Sequence, residues 1–272
     1  QEQQHAGLKR PDGAPAPALA ECKQTSDEID AIPSVANETA PVALVFDYDS
    51  AFAWDAQPQG ADFEAFRLAF AAYRAMRALG LSVDILSPNA TDLSAYTLVL
   101  APGILSFTDE MRTALDAGET LALIGPRSDV KTDEISVKLQ LVPGLSGMDV
   151  SVTLTESIPP TDAIALNDGG AFMHWFEHLE GTAQIFESTM SGHPAIMGTD
   201  KLRYLAGWPE DATFKRIIKQ LCDETGVQTH ELPDGLRMRE DGKHRFLFNY
   251  APEPVTWNGT EIPPAGVYWE PL

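Results

Sequence analysis

Cysteine is scarce in this chain, with Cys22 and Cys222 the two thiols in 272 residues. Two cysteines make no disulfide framework, and neither sits in a paired metal-ligand spacing. A reducing cytoplasm fits that usage. Basic residues are also few, 19 Lys and Arg against 40 Asp and Glu, for a formal net charge of −21. Such a surface repels nucleic acid and anionic membrane, and neither is expected as a partner. No unbroken apolar run approaches the roughly 18 residues of a membrane span. No Gly-x-Gly-x-x-Gly or Walker-type loop is present, so no nucleotide cradle is supported and no cofactor is expected. No Gly-x-Ser-x-Gly or Gly-x-Cys-x-Gly elbow is present either. Three Asn-x-Ser/Thr sequons, at Asn37, Asn89 and Asn258, are read as chance.

What is present supports a folded chain. Hydrophobic residues make up 44% of it, enough for a core, and the length allows one large or two modest domains. The opening, from Gln1 through Pro15, reads as the tail of an earlier domain followed by an exit segment. Residues 1–40 are broken by Pro11, Pro15, Pro17 and Pro33, with a short helix expected over 19–32 and Cys22 packed within it.

Regular patterning begins at Val42. Residues 42–46 are apolar throughout, which suits a strand covered on both faces. A loop is expected over 48–61, then a helix capped by Asp62, running to Leu79 and stopping at Gly80. Its Phe63, Phe66, Phe70 and Tyr73 form a stripe at spacings of three and four, expected to face the core. Further strands are expected at 81–86, 97–101 and 120–124. A helix from a Ser106/Asp109 capping box to Ala117 separates the last two. Strands alternating with helices predict an open, doubly wound α/β domain with a mainly parallel sheet. Residues 126–205 are richer in strands and turns. One more helix is expected over 209–225, with Pro209 in its first position, Gly226 at its exit and Cys222 on its buried face. Short strands at 236–240, 245–249, 255–257 and 267–269 then predict a small antiparallel β domain.

Little of this carries visible chemistry. Open parallel sheets bind ligands beyond the carboxyl ends of their strands. Here those ends carry Asp47-Tyr48-Asp49, Pro102-Gly103-Ile104 and Gly125-Pro126-Arg127-Ser128. Ser128 has no nameable base and reads as a turn hydroxyl. His174-Trp175-Phe176-Glu177-His178 matches the His-x-x-Glu-His pattern of some zinc peptidases. It alternates like a strand, however, and no third ligand is identifiable. Packing or surface histidines are expected instead, and no metal site is assigned.

Read together, these residues resemble the C-terminal half of the family 42 β-galactosidases. Glu2-Gln3-Gln4-His5-Ala6-Gly7-Leu8 with Arg10-Pro11-Asp12-Gly13 is similar to the last strand and exit of that family's catalytic barrel. Val45-Phe46-Asp47-Tyr48-Asp49-Ser50, Trp54 and Gln57-Pro58-Gln59-Gly60 resemble the first strand and long loop of its second domain. Gly125-Pro126-Arg127-Ser128, Leu236 to Arg239 and Phe246 to Tyr250 are further matching stretches. The resemblance implies a division into 1–40 (end of the barrel and linker), 41–228 (a class I glutamine-amidotransferase-like trimerisation domain without its nucleophile) and 229–272 (a small β domain). It implies a homotrimer. It also implies a parent enzyme that hydrolyses terminal β-D-galactosides with retention, with both catalytic glutamates upstream of Gln1 and the chain inactive alone. Glu2 and His5 match the positions that line the galactose pocket. Without the barrel they would be exposed tail residues. Trp54 is a third candidate, able to stack on a sugar or a neighbouring subunit, with core packing as the plainer reading. Two alternatives differ in class: a free-standing amidotransferase- or peptidase-like hydrolase, which needs a nucleophile at a strand end, and a non-catalytic carbohydrate-binding or scaffold module.

Overall fold

A computed structural model of the chain describes residues 7–32, 38–60, 62–118 and 120–272. The chain divides into two compact units, Gln1–Asn37 and Glu38–Leu272. The first holds one helix, α1 (Pro17–Ala31), with Pro17 in the opening turn where its missing N–H costs nothing. Pairs four residues apart, Lys23 with Asp27 and Gln24 with Glu28, run along it. None of its residues is buried, and Cys22 is exposed. That corrects the packing role expected for Cys22: apolar residues are scattered through this helix and give no stripe for a thiol to join.

The second unit is built on a mixed sheet. Its elements are β1 (Val42–Val45), α2 (Tyr48–Ala56), α3 (Ala65–Ala78), β2 (Val83–Leu86), β3 (Leu98–Ala101), α4 (Asp109–Asp116) and β4 (Leu121–Ile124). There follow β5 (Val142–Pro143), β6 (Ser151–Ser157), β7 (Ile164–Ala165), β8 (Ala171–Glu180), β9 (Gln184–Ser188), β10 (Pro194–Gly198), β11 (Leu202–Leu205), β12 (Gly207–Pro209) and α5 (Asp211–Thr225). The main sheet has the order β2-β1-β3-β4-β11-β10-β9. From β2 to β11 the strands pair in parallel, and β10 and β9 extend the sheet antiparallel. Every residue of β1, β3 and β4 is buried, as unbroken apolar runs require. The crossover from β1 to β2 moves one way along the sheet and that from β3 to β4 the other. Right-handed connections therefore put α3 and α4 on opposite faces, with the switch point between β1 and β3. A second, antiparallel sheet runs β12-β8-β6-β5, with β7 also on β8.

The small β region contains β13 (Leu236–Glu240), β14 (His244–Asn249), β15 (Val255–Trp257), β16 (Thr260–Ile262) and β17 (Val267–Pro271). It forms an antiparallel β13-β14-β17 sheet and a β15-β16 hairpin. It has its own core of Leu236, Met238, Leu247, Trp257 and Ile262.

Several local expectations are corrected. Residues 48–56 are helix α2, not loop, because the Asp47 carboxylate accepts from the Asp49 and Ser50 amides and caps it. Asp62 caps nothing: α3 begins after Glu64, and Asp62 instead meets the His174 ring at 2.7 Å. The cap of α4 is Thr108, whose hydroxyl accepts from the Met111 amide, while Ser106 donates to Asp133. Pro209 closes β12, and Glu210 holds the position before α5 without a side-chain capping bond. At the other end Gly226 supplies the left-handed exit expected of it.

The aromatic stripe of α3 is the largest correction. Phe63 is buried ahead of the helix, but Phe66 and Phe70 are 61% and 46% exposed. The inward face is Ala65, Leu68, Ala69, Ala72, Ala75 and Met76. Small alanines let the helix lie close to its neighbours, and the phenylalanines are left outside.

Candidate functional site

The carboxyl ends of β1, β3 and β4 converge on three features, which differ in what they can do. The first is an open cleft of about 470 Å³ beside the switch point, lined by Phe46, Asp47, Tyr48, Ile85, Ser106 and Asp133 among others. Two of its three carboxylates, Asp47 and Asp133, are already engaged locally. Asp47 caps α2 and accepts from the Ser50 hydroxyl at 2.5 Å, and Ser50 Oγ in turn accepts from the Leu105 amide at 2.8 Å. Asp133 accepts from Ser106 at 2.7 Å. Both serine–carboxylate pairs serve local capping and loop contacts, and among the described residues no histidine, cysteine or lysine lines the cleft to activate either hydroxyl.

The second feature is the turn after β4. Arg127 and Asp129 have φ of 57° and 61°, the left-handed region that strand-end catalytic turns adopt to project a side chain. Gly125 is required there, because a Cβ would collide with the Leu205 carbonyl of β11. The turn projects an arginine into an enclosed aromatic box. The Arg127 guanidinium lies 4.7 Å from the Trp54 ring, 5.2 Å from Trp175 and 5.7 Å from Phe63. Such cation–π contacts are worth more when water is excluded. Burial lowers the Arg127 pKa, and Glu177 and Tyr204 pull it back up.

Glu177 sits beneath, fully buried. It accepts from the Arg127 amide (3.1 Å), Trp175 Nε1 (3.0 Å) and Tyr204 Oη (2.7 Å). Burial pushes its carboxyl pKa up, against the pull of those donors. Asp129, also buried, accepts from the Phe107 amide, Arg112 and Lys138, tying the loops around β3 and β4 together. This cluster fastens the turn between the two sheets and has no face open to a substrate.

Ser128 is fully buried; its hydroxyl accepts from the Gly125 amide at 2.7 Å and donates to the Ala101 carbonyl at 3.1 Å. Cys222 is buried on α5 as its periodicity predicts, its thiol pushed up to about 12 by burial. Neither is a nucleophile, so the free-standing hydrolase alternative is not favoured. His174 and His178 lie on β8, on the strand expected for them, and turn to different carboxylates, Asp62 and Glu156. Among the described residues no three of His, Cys, Asp and Glu gather as metal ligands. Trp54 is 2% exposed, so its rings are engaged in packing within this chain. Glu2 and His5 lie outside the described residues.

The third feature is exposed. Phe46, Tyr48 and Phe52 continue the Phe66–Phe70–Tyr73 line into one aromatic ridge, with ring centroids 5.1–6.5 Å apart at each step. Tyr48 and Phe52 are 70% and 66% exposed. Sequence reasoning assigned the α3 part of this ridge to the core. The signal that separates the two faces was the alanine stripe opposite.

Comparison with known proteins places this geometry. A family model described as "Beta-galactosidase trimerisation domain" matches residues 40–228. β-Galactosidase BgaA of Thermus sp. is 36% identical over 260 residues, spanning 94% of this chain and 40% of that protein. The crystal structure of β-galactosidase from the psychrophilic Marinomonas ef1 superposes with a TM-score of 0.89 at 31% identity, over 99% of this chain and 44% of that one. The β-galactosidase of the Antarctic haloarchaeon Halorubrum lacusprofundi gives 0.85 at 31%, over 99% and 45%. The chain thus spans about 40% of the curated relatives it matches. The resemblance read from the Asp-Tyr-Asp, Gln-Pro-Gln-Gly and Gly-Pro-Arg-Ser stretches holds across the fold, and the chain belongs to the β-galactosidase trimerisation domain family.

Proposed function

We propose that this chain is the non-catalytic, assembly-building part of a β-galactosidase that releases terminal β-D-galactose with retention. It associates as a homotrimer and turns over no galactoside by itself. The observation that carries this reading is the pattern of coverage: nearly the whole chain matches β-galactosidases, yet it accounts for only 40% of their length and matches a model described by trimerisation. A retaining mechanism needs two carboxylates about 5 Å apart flanking a sugar. The two most deeply buried acids here, Glu177 and Asp129, are bound into the interior instead. The catalytic glutamates belong to the unmatched part of the relatives, and Glu2 and His5 would meet galactose only alongside it.

On this reading 1–40 is the end of a catalytic barrel and its linker, 41–228 the trimerisation domain and 229–272 an appended β domain. The trimerisation domain is a class I amidotransferase-like scaffold in which Arg127 takes the place of the nucleophile. The two free thiols support a cytoplasmic setting. Two measurements on the 272-residue chain test the proposal. A chromogenic β-galactoside should show no hydrolysis, and clear turnover overturns the assignment of catalysis elsewhere. Sedimentation equilibrium should show a trimer, and a monomer at all accessible concentrations overturns the assembly role.

A further inference from the structure

The rim of the aromatic ridge is basic on a chain of net charge −21. An open cleft of about 520 Å³ between α3 and the β13 region is lined by Phe70, Tyr73, Arg74, Arg77, Arg237 and Tyr250. Arg239 lies two residues further along β13, near enough that it and Arg237 act, after burial, to lower the Arg77 pKa. Arg74 pairs with Asp211, but among the described residues Arg77, Arg237 and Arg239 have no carboxylate within 4.0 Å. Among the described residues the Arg77 and Arg237 side chains donate to the Leu81 and Leu236 carbonyls alone. In a chain with twice as many acids as bases, a cluster of arginines left without counter-charge is built for carboxylates from outside. Tyr, Phe and Arg in a contiguous exposed patch are also the residue types that anchor protein interfaces.

A second exposed apolar element has the opposite rim. Val137, Leu139 and Leu141 are all exposed, Leu139 completely. Val137 and Leu139 flank Lys138, whose amine is held inward on Asp129 at 2.6 Å, and a bend at 139–140 carries the chain to Leu141. A bridge between Lys131 and Val137 fixes the segment's base, and Asp133 and Glu134 stand exposed beside it.

We propose that the α3 ridge of one copy receives the Val137–Leu139–Leu141 segment of a second copy, head to tail, with Asp133 and Glu134 answering the arginine rim. This rests on the assembly reading and names its contact. The charge decides the symmetry. A two-fold contact through the ridge would set arginine against arginine, whereas a heterologous contact pairs unlike surfaces and closes into a ring at a suitable rotation.

Analytical ultracentrifugation of the chain and its variants tests this. Phe70→Ser and Leu139→Ser should each weaken association about ten-fold or more. An equimolar mixture of the two should form dimers that neither forms alone, because it restores one intact ridge–segment contact. Arg237→Glu should weaken association most at low salt. Phe66→Ser and Leu141→Ser serve as second variants should either first choice fail to fold, judged by circular dichroism. If the parent chain assembles and the ridge and segment variants assemble equally well, the contact is wrong and the assembly reading survives. If single variants dissociate but the mixture does not pair, the head-to-tail arrangement is wrong. A parent chain that stays monomeric overturns both.

Discussion

Glu177 shows how one residue can hold a turn. Three donors converge on its carboxylate inside the protein. Replacing it with Leu strands them all, and denaturant unfolding should show a loss of about 3–5 kcal/mol. Its pH behaviour has a definite sign. Burial raises the folded-state pKa above the ordinary 4.5, so the folded chain keeps a proton that the unfolded chain has released. Glu177 therefore stabilises the fold fully below about 4.5 and loses that contribution as pH rises through its folded value. The stability of the parent chain relative to Glu177→Gln should fall over that range; a difference that stays flat with pH contradicts the assignment. The cysteines give a second check. Burial lifts the Cys222 thiol to about 12, while Cys22 is exposed. A thiol reagent at neutral pH should label Cys22 alone in the native chain and both after unfolding, read by peptide mass. Cys222 was legible because Phe214, Ile217, Ile218 and Leu221 repeat around it on α5. Glu177 was not legible, since one acid among 40 shows nothing of its burial until β8 is placed against the turn after β4.

At the scale of elements, the strands that read clearly were those with no polar face, β1, β3 and β4. The helix that read clearly was α5, with one apolar stripe and a glycine exit. Helix α2 escaped because it is short and leads into Gln-Pro-Gln-Gly. Its signal was Asp47 three residues before Ser50, a side-chain cap rather than a periodicity. Asp47→Ala should destabilise the chain by about 1–2 kcal/mol, measured as a shift in the urea midpoint at unchanged slope. Helix α3 misled because apolar residues occur on both sides of it, and large rings are by default assigned inward. Size was the wrong guide: alanines allow close approach to the sheet, so the rings went to the face that other surfaces meet.

For the whole molecule, a βαβ pattern foretold the parallel half of the main sheet. The antiparallel extension through β10 and β9 was not foretold, because its pairing depends on strands that the sequence leaves unordered. The small β region has five buried apolar residues as its core, against a continuous core through both larger sheets. Amide exchange under native conditions should therefore open β13 and β14 well before β1, β3 and β4. Equal protection across both regions would show that they unfold as one. The Arg127 box has a consequence for engineering. A cysteine or serine placed at position 127 would emerge into a chamber walled by indole and phenyl rings, where the neighbouring carboxylate, Glu177, is already taken up by three donors. Arming this scaffold as a hydrolase would demand rebuilding its interior, so a single exchange at the turn yields a cavity and not a catalyst.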